Sequence, residues 1–210
     1  MPDRSAPKNT PAEVEQLILR DVSAWREWLD ASEDESDGVW VLLAKKGVTE
    51  PTSLTYAEAL DEALCSGWID GQMKGVDAAT FRQRFTPRRK RSTWSVRNVG
   101  RIARLTEEGR MRPRGLAEVE RAQADGRWAA AYEGSANIQV PPELAAALEA
   151  SPSAASAFSS LTRQNRYAIL HRLATTTNDT TRQRNVAKFV AMLERGETPY
   201  PQRSGSTEPE

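Results

Sequence analysis

The residues best suited to chemistry are six basic side chains among the ten positions from Arg82 to Arg91. Arginine presents a rigid fork of N–H donors that fits a carboxylate or a phosphate through two parallel hydrogen bonds. Ser92 and Ser95 follow at the expected start of a helix, where free backbone N–H groups and the helix dipole also favour an anion. Trp94, between them, could stack on a base or a sugar. The segment therefore predicts a binding site for an anionic ligand.

The predicted site extends to polar and aromatic neighbours on both sides of the basic run. Its ligand would be a phosphate-bearing molecule, a nucleic acid or an acidic protein partner, because all three present oxyanions to arginine. The predicted ligand-binding residues are Trp68, Asp70, Gln72, Arg82, Arg84, Thr86, Arg88, Arg89, Lys90, Arg91, Ser92, Trp94, Ser95 and Asn98.

Formal charge is segregated along the chain, although 29 basic and 29 acidic side chains cancel overall. Residues 1–80 carry 7 basic and 16 acidic side chains, residues 81–114 carry 12 and 2, and residues 115–210 carry 10 and 11. Two interpretations follow. Either the acidic region pairs with the basic segment inside the molecule, or the basic segment faces an external anion.

An enzyme is the alternative to a non-catalytic binding protein. Asp70 and Gln72 lie two positions apart on an expected strand, so both would point to one face. With Asn98 they would line a pocket for an anionic small molecule that the arginines clamp. In a purely structural alternative, Asp70 pairs with Arg84 or Arg88, and such a pair would make the carboxylate a poor general base.

Several functional classes lack their residues. The only cysteine is Cys65 and the only histidine is His171, which excludes an intrachain disulfide and sites built from several Cys or His ligands. There is no phosphate-binding loop, dinucleotide fingerprint or nucleophile elbow. We therefore expect no cofactor and no metal, and no catalytic residue is assigned. No apolar run reaches membrane-spanning length and no secretory signal is visible, so a cytoplasmic location is expected; the oligomeric state is not predicted.

The first part of the chain should combine strands and helices. Residues 17–19 predict a short strand, and a helix should begin at Asp21 or Ser23. The continuous apolar run at residues 39–44 is typical of a buried central strand. Thr55-x-x-Glu58 fits a capping box that starts a helix, and Gly67 should end that helix.

The basic segment itself should contain a strand and a loop. Residues 81–85 alternate, which places both arginines on the face opposite Phe81, Gln83 and Phe85. Because Pro87 breaks a strand, residues 86–93 are predicted to form an exposed loop. Further helices are expected from Ser95 to Gly109, at residues 115–125 after Pro113, and at residues 142–150, 153–160, 163–174 and 180–195.

These elements predict an α+β fold: a small mixed sheet with packed helices, followed by an all-helical C-terminal module. The predicted organisation is a disordered tail at residues 1–11, an α+β domain at 12–132, a helical module at 140–197 and a disordered tail at 198–210. A third functional possibility is an interaction scaffold that docks partners through the apolar face of the last helix.

Six stretches together carry a resemblance to a known family. They are GVWVLLAKKG (38–47), LTYAEALDEALCSGWIDGQMKGVD (54–77), FRQRFTPRRKRSTWSVRN (81–98), EEGRMRPRGLAEVE (107–120), ADGRW (124–128) and KFVAMLERGE (188–197). On these stretches the sequence resembles the YdeI/OmpD-associated family, also described as bacteriocin-protection proteins. Ser66 departs from the family pattern, which has an aromatic residue at that position.

The resemblance implies a bacterial cytoplasmic protein with a role in resistance to bacteriocins or cationic peptides. The family name also links it to an outer-membrane porin. The resemblance provides no catalytic residue to carry over, so it favours the binding hypothesis without identifying the ligand.

Overall fold

A computed structural model describes residues 16–202 of the chain. They divide into two compact units: residues 16–92 and 100–126 form the first, and residues 93–99 and 127–202 form the second. The sequence predicted one boundary after residue 132, so the assignment of residues 93–99 to the helical unit is new. The predicted tail at 1–11 lies outside the described residues.

The first unit contains a four-stranded mixed sheet in the part of the chain that the structure describes. The strands are β1 (Gln16–Leu17), β2 (Val39–Ala44), β3 (Trp68–Gly75) and β4 (Thr80–Pro87), in the order β1-β2-β4-β3. β1 pairs with β2 in parallel, and the other neighbours are antiparallel. The α+β class is confirmed, and β2 has the predicted bounds.

Two helices cover one face of this sheet. They are α1 (Val22–Ser32) and α2 (Tyr56–Cys65). Trp25 of α1 is fully buried, with its ring 5.5 Å from that of Phe85 on β4, and its indole N–H donates to the carbonyl oxygen of Ala59 on α2 at 3.0 Å. The predicted capping box begins α2 and is confirmed, because Thr55 and Glu58 satisfy each other's backbone N–H groups.

Two more helices follow the sheet. They are α3 (Val96–Glu107) and α4 (Pro113–Ala124). The first four residues of α3 belong to the second unit and the remainder to the first. Inside the first unit, α4 approaches α2 so closely that a Cβ on Gly115 would collide with the carbonyl oxygen of Cys65.

The second unit is helical beyond residue 140. Its helices are α5 (Pro142–Glu149), α6 (Pro152–Ser159), α7 (Arg163–Ala174) and α8 (Asp179–Glu194), within two residues of the predicted bounds. Its core contains Leu144, Phe158, Ile169 and Leu193. These four helices and their common apolar core confirm the predicted all-helical module.

The end of the second unit corrects one expectation. Residues 198–202 were predicted to begin a disordered tail, yet they are held against α7. The buried amide of Asn165 donates to the carbonyl oxygen of Tyr200 at 3.0 Å and to Gln202 Oε1 at 2.8 Å. Tyr200 N donates back to Asn165 Oδ1 at 2.9 Å. Composition predicted a disordered tail because it cannot show these hydrogen bonds, which connect Tyr200 to a residue 35 positions earlier in the chain.

None of the helices in residues 16–202 combines the length and apolar character that a membrane crossing requires.

Candidate anion-binding site

The basic segment divides into two halves with different partners. In residues 101–114 the arginines are paired with carboxylates of the acidic N-terminal region. Asp61 on α2 accepts from Arg101 at 2.6 Å and also from Arg104, and Arg114 Nη1 lies 2.8 Å from Asp34 Oδ1. The intramolecular interpretation of the charge segregation is therefore correct for this half.

Glu62 is the most buried carboxylate of this paired half, with 1% of the residue exposed. Its oxygens lie 2.6 Å from Arg26 Nη2, 2.6 Å from Arg110 Nη2 and 3.2 Å from Arg112 Nη2. Burial alone would raise the pKa of Glu62, but the hydrogen bonds and charges of Arg26 and Arg110 lower it to about 2. The carboxylate thus stays ionised and holds α1, α2 and the α3–α4 connection together.

The other half begins on β4, where two arginines share a face with an aromatic ring. Arg84 is the antiparallel register partner of Trp40 on β2, and Arg82 is the partner of Lys74 on β3. Lys74 Nζ and the Arg82 guanidinium each lie 5.2 Å from the Trp40 ring centroid, within cation–π range. We call Trp40, Lys74, Arg82 and Arg84 the cationic sheet face.

The cations of the cationic sheet face have no acidic partner within the described residues. Among residues 16–202, no carboxylate is within 4.0 Å of Lys74, Arg82 or Arg84. Arg82 Nη1 donates to Gln16 Oε1 at 3.2 Å, whereas Arg82 Nε and Arg84 Nη1 are buried and have no described acceptor. A buried donor without an acceptor costs about 1–3 kcal/mol, so the position of these two guanidinium groups reduces the stability of the fold.

The alternation that placed both arginines on one face is confirmed. Gln83 and Phe85 are buried on the opposite face, 3% and 0% exposed. The sequence did not predict Lys74 and Trp40 as site residues, although both lie in stretches that carry the family resemblance. Their participation depends on the register between strands, and the alternation of a single strand carries no information about that register.

The predicted exposed loop at residues 86–93 is wrong in its first part. Thr86 pairs with Ile69 and Pro87 with Trp68, so both belong to β4. Pro87 is tolerated because it is the last residue of the strand. Arg88 is buried at 6% exposure, and its N–H donates to the carbonyl oxygen of Gly67 at 3.0 Å. Arg88 therefore belongs to the packed end of the sheet.

The exposed basic residues that follow β4 begin at Arg89, directly after the buried Arg88. Arg89, Lys90 and Arg91 are exposed and have no ion-pair partner within the described chain. Ser92 Oγ accepts from Arg89 N at 2.9 Å, which fixes the turn. We call Arg89, Lys90 and Arg91 the basic turn.

The polar motif at residues 68–72 does not join the arginines. Trp68 is fully buried, with its ring edge-on to Trp28 at 5.8 Å, so it is a core residue. Asp70 is the register partner of Phe85 and lies on the helix-covered face, where it accepts a 2.7 Å hydrogen bond from the Tyr56 hydroxyl. A β-bulge follows Asp70, which breaks the expected alternation and leaves Gln72 exposed.

The remaining predicted residues belong to the second unit. Trp94 is 2% exposed and packs against Trp128 at a ring distance of 4.8 Å, so it is not placed to stack on a base. Ser95 Oγ accepts from Asn98 N at 3.2 Å. This side-chain cap uses an N–H group that the predicted anion site needed, and the expectation of an open helix start is corrected.

The second unit also contains a groove between α5 and α8. It encloses about 370 Å³ and is lined by Ala147, Val186, Val190 and Ala191, among others, with Glu194 at its edge. Val186 and Leu193 of the same helix are buried in the core. The apolar face of α8 is therefore only partly free, and the interaction-scaffold hypothesis stays a prediction because the described residues do not identify what covers the groove.

The two residues with potential nucleophilic or acid–base chemistry are in ordinary packing positions. Cys65 is fully buried, and burial raises the pKa of its thiol to about 11. His171 lies against the Tyr132 ring at 4.4 Å, and burial lowers its pKa. Within residues 16–202, no group of three or more His, Cys, Asp or Glu side chains is arranged to hold a metal ion.

Comparisons with known proteins give two family-level matches. Residues 17–118 match the model of a domain of unknown function (DUF8412). Residues 137–196 match the model of the family described as Bacteriocin-protection, YdeI or OmpD-Associated. No curated protein and no solved structure matches the chain. The second match confirms the resemblance for residues 137–196, which are similar to the family described as Bacteriocin-protection, YdeI or OmpD-Associated. The stretches at residues 38–98 that carried most of the resemblance lie in the part that matches the domain of unknown function.

Proposed function

We propose that the chain is a non-catalytic protein of the cytoplasm that binds an anionic ligand through the cationic sheet face and the basic turn. The observation that carries this proposal is the lack of acidic partners for Lys74, Arg82 and Arg84 in the described structure. The protein neutralises residues 101–114 with its own carboxylates, whereas these three cations have no carboxylate partner among residues 16–202. A ligand with phosphate or carboxylate groups would complete the charge balance.

The geometry favours an extended anion over a single small one. Successive residues on one strand face are about 7 Å apart, since a strand rises about 3.4 Å per residue. Arg82 and Arg84 are so spaced on β4, and Lys74 lies on the neighbouring strand. A ligand with several phosphates or carboxylates can engage all three, whereas an isolated ion engages one or two.

The description of the family that matches residues 137–196 adds protection against bacteriocins to the proposal. The expected outcome is better survival of bacterial cells that express the chain when they meet a cationic bacteriocin. Cells that express the Lys74→Gln, Arg84→Gln double variant at the same level should lose that advantage. Equal survival of both strains would separate the protection role from anion binding.

The ligand class can be identified by thermal unfolding against inorganic phosphate, polyphosphate, nucleotides, single-stranded oligonucleotides and an acidic peptide. A ligand that binds the folded state raises its melting temperature by mass action. We expect a rise with a multivalent anion and a smaller rise in the Lys74→Gln, Arg84→Gln variant. Arg20→Gln is the matched control, because Arg20 is exposed and pairs with Asp21. A shift that is equal in all three proteins would contradict the proposed site.

The enzyme alternative gains no support from the positions of its residues. Asp70 is hydrogen-bonded to Tyr56 on the face opposite Arg84, which is the environment of a structural carboxylate. The catalytic pocket lined by Asp70, Gln72 and Asn98 therefore remains a prediction from the sequence.

A further inference from the structure

A second cluster of arginines is carried by helices rather than by the sheet. Arg26 on α1 and two arginines of the α3–α4 connection, Arg110 and Arg112, converge on the buried carboxylate of Glu62. Arg26 binds both carboxylate oxygens, at 3.0 and 2.6 Å. One carboxylate is thus contacted by three guanidinium groups.

A cavity opens at these arginines. It encloses about 250 Å³ and is lined by Arg26, Asp30, Gly109, Arg110 and Arg112. This volume is below the 300–1,000 Å³ that is typical of sites for drug-sized molecules. The cavity therefore suits a small molecule or the terminal group of a larger one. Its lining is polar and charged, which disfavours an apolar occupant.

The ion-pair network around the cavity has one positive charge in excess. In the described structure its members form ion pairs only with one another, and its arginines outnumber its carboxylates by one. The network consists of Arg26, Arg101, Arg104, Arg110 and Arg112 with Asp30, Asp61, Glu62 and Glu108. Because the excess charge is partly shielded from water, an anion at the cavity would be attracted more strongly than at an exposed surface.

Donors also remain at the cavity wall. Arg26 uses Nε and Nη2 on Glu62, and its Nη1 has no acceptor among the described residues. Its side chain is 51% exposed and Arg110 is 30% exposed, so both guanidinium groups are within reach of a ligand. Arg112, 16% exposed, is held by Asp30 through Nε at 2.8 Å.

We propose that this cavity is a second binding site, selective for a small oxyanion such as a carboxylate or a phosphate group. Arg26 and Arg110 would contact the anion directly, and Glu62 would hold both guanidinium groups in place. Asp30 would oppose binding, because its carboxylate lies at the same cavity and occupies Arg112.

The test is calorimetric titration of the full chain with inorganic phosphate and, separately, acetate. We expect saturable binding that weakens about tenfold in Arg26→Gln, since one charge-assisted contact is lost. Asp30→Asn should bind severalfold more tightly, because the competing carboxylate is removed. Opposite effects of the two variants are the signature, and a merely structural network would not produce them.

Two further variants separate this site from the cationic sheet face. Arg84→Gln should leave phosphate binding here unchanged, and Arg20→Gln serves as an exposed control. If Arg84→Gln abolishes phosphate binding, the ion is bound by the sheet face and the cavity proposal fails while the proposed function survives. Absence of saturable binding, or equal affinity in Arg26→Gln and Asp30→Asn, also overturns it. Thermal unfolding of each variant confirms that the compared proteins are folded.

Discussion

At the scale of single residues, ionised and buried groups decide where charge is available. Glu62 is almost fully buried yet remains ionised, because three arginines contact it. The arginines of β4 instead have no carboxylate partner in the part of the chain that the structure describes. Residue type alone did not distinguish these two sets, since both are arginine-rich. What distinguishes them is whether the fold brings a carboxylate within about 4 Å.

The Glu62 cluster makes a prediction about pH. Its folded-state pKa is lowered from 4.5 to about 2, so its contribution is fully present above about pH 4.5 and is lost as the pH falls towards about 2. The loss amounts to at most about 3 kcal/mol. Urea unfolding at several pH values should show this decline in the wild type and a weaker one in Glu62→Gln. Parallel pH profiles for the two proteins would refute the assignment.

Glu62→Gln should also be costly at neutral pH. Three arginines would lose the charge that balances them. Removing one partner of a fully buried pair costs about 3–5 kcal/mol, and we expect a smaller loss here because Arg26 and Arg110 are partly exposed. Glu58→Gln offers a comparison, because Glu58 is exposed and caps a helix in a role that glutamine can share. A similar loss of unfolding free energy in both variants would count against the special role of Glu62.

Cys65 makes a second prediction at this scale. Its thiol is fully buried and burial raises its pKa to about 11, and the thiolate is the reactive form. A disulfide reagent at pH 8 should therefore label the native protein slowly and the urea-unfolded protein at the rate of a free thiol. Rapid stoichiometric labelling of the native protein would contradict the buried position.

At the scale of elements, the patterns with a local cause were the predictable ones. β2 and the capping box of α2 depend on a continuous apolar run and on Thr55 with Glu58, all visible in sequence. The end of β4 was misplaced because Pro87 is tolerated at a strand end. The contribution of Lys74 and Trp40 could not be predicted, because it depends on which strands pair and in which register.

The contact between α2 and α4 gives a matched pair of glycine substitutions. Ala is favoured over Gly in a helix by about 1 kcal/mol, so Gly100→Ala on α3, where a Cβ meets nothing within 4 Å, should stabilise the protein slightly. Gly115→Ala should instead destabilise it by about 1–3 kcal/mol, because the new Cβ collides with the Cys65 carbonyl. Chemical denaturation measures both, and a stabilised Gly115→Ala would show that the helices can move apart.

At the scale of the whole molecule, the segregation of charge was visible in the sequence but its outcome was not. The intramolecular interpretation is correct for residues 101–114. Arg82, Arg84 and the basic turn have no carboxylate partner among residues 16–202, and an external anion for them stays a prediction. A count of charges per segment cannot decide this, since pairing requires helices and strands far apart in sequence to meet. The helices of the C-terminal module were predictable from periodicity, because each has a local apolar pattern.

The most direct test of anion binding at the cationic sheet face is the salt dependence of binding to a single-stranded oligonucleotide. Each phosphate contact adds about 0.7 to the slope of log affinity against log salt. We predict weaker binding with rising salt in the wild type, and a slope smaller by about 1.4 in the Lys74→Gln, Arg84→Gln variant. Arg20→Gln should keep the wild-type slope. Binding that ignores salt, or a double variant whose slope equals that of the wild type, would contradict the account.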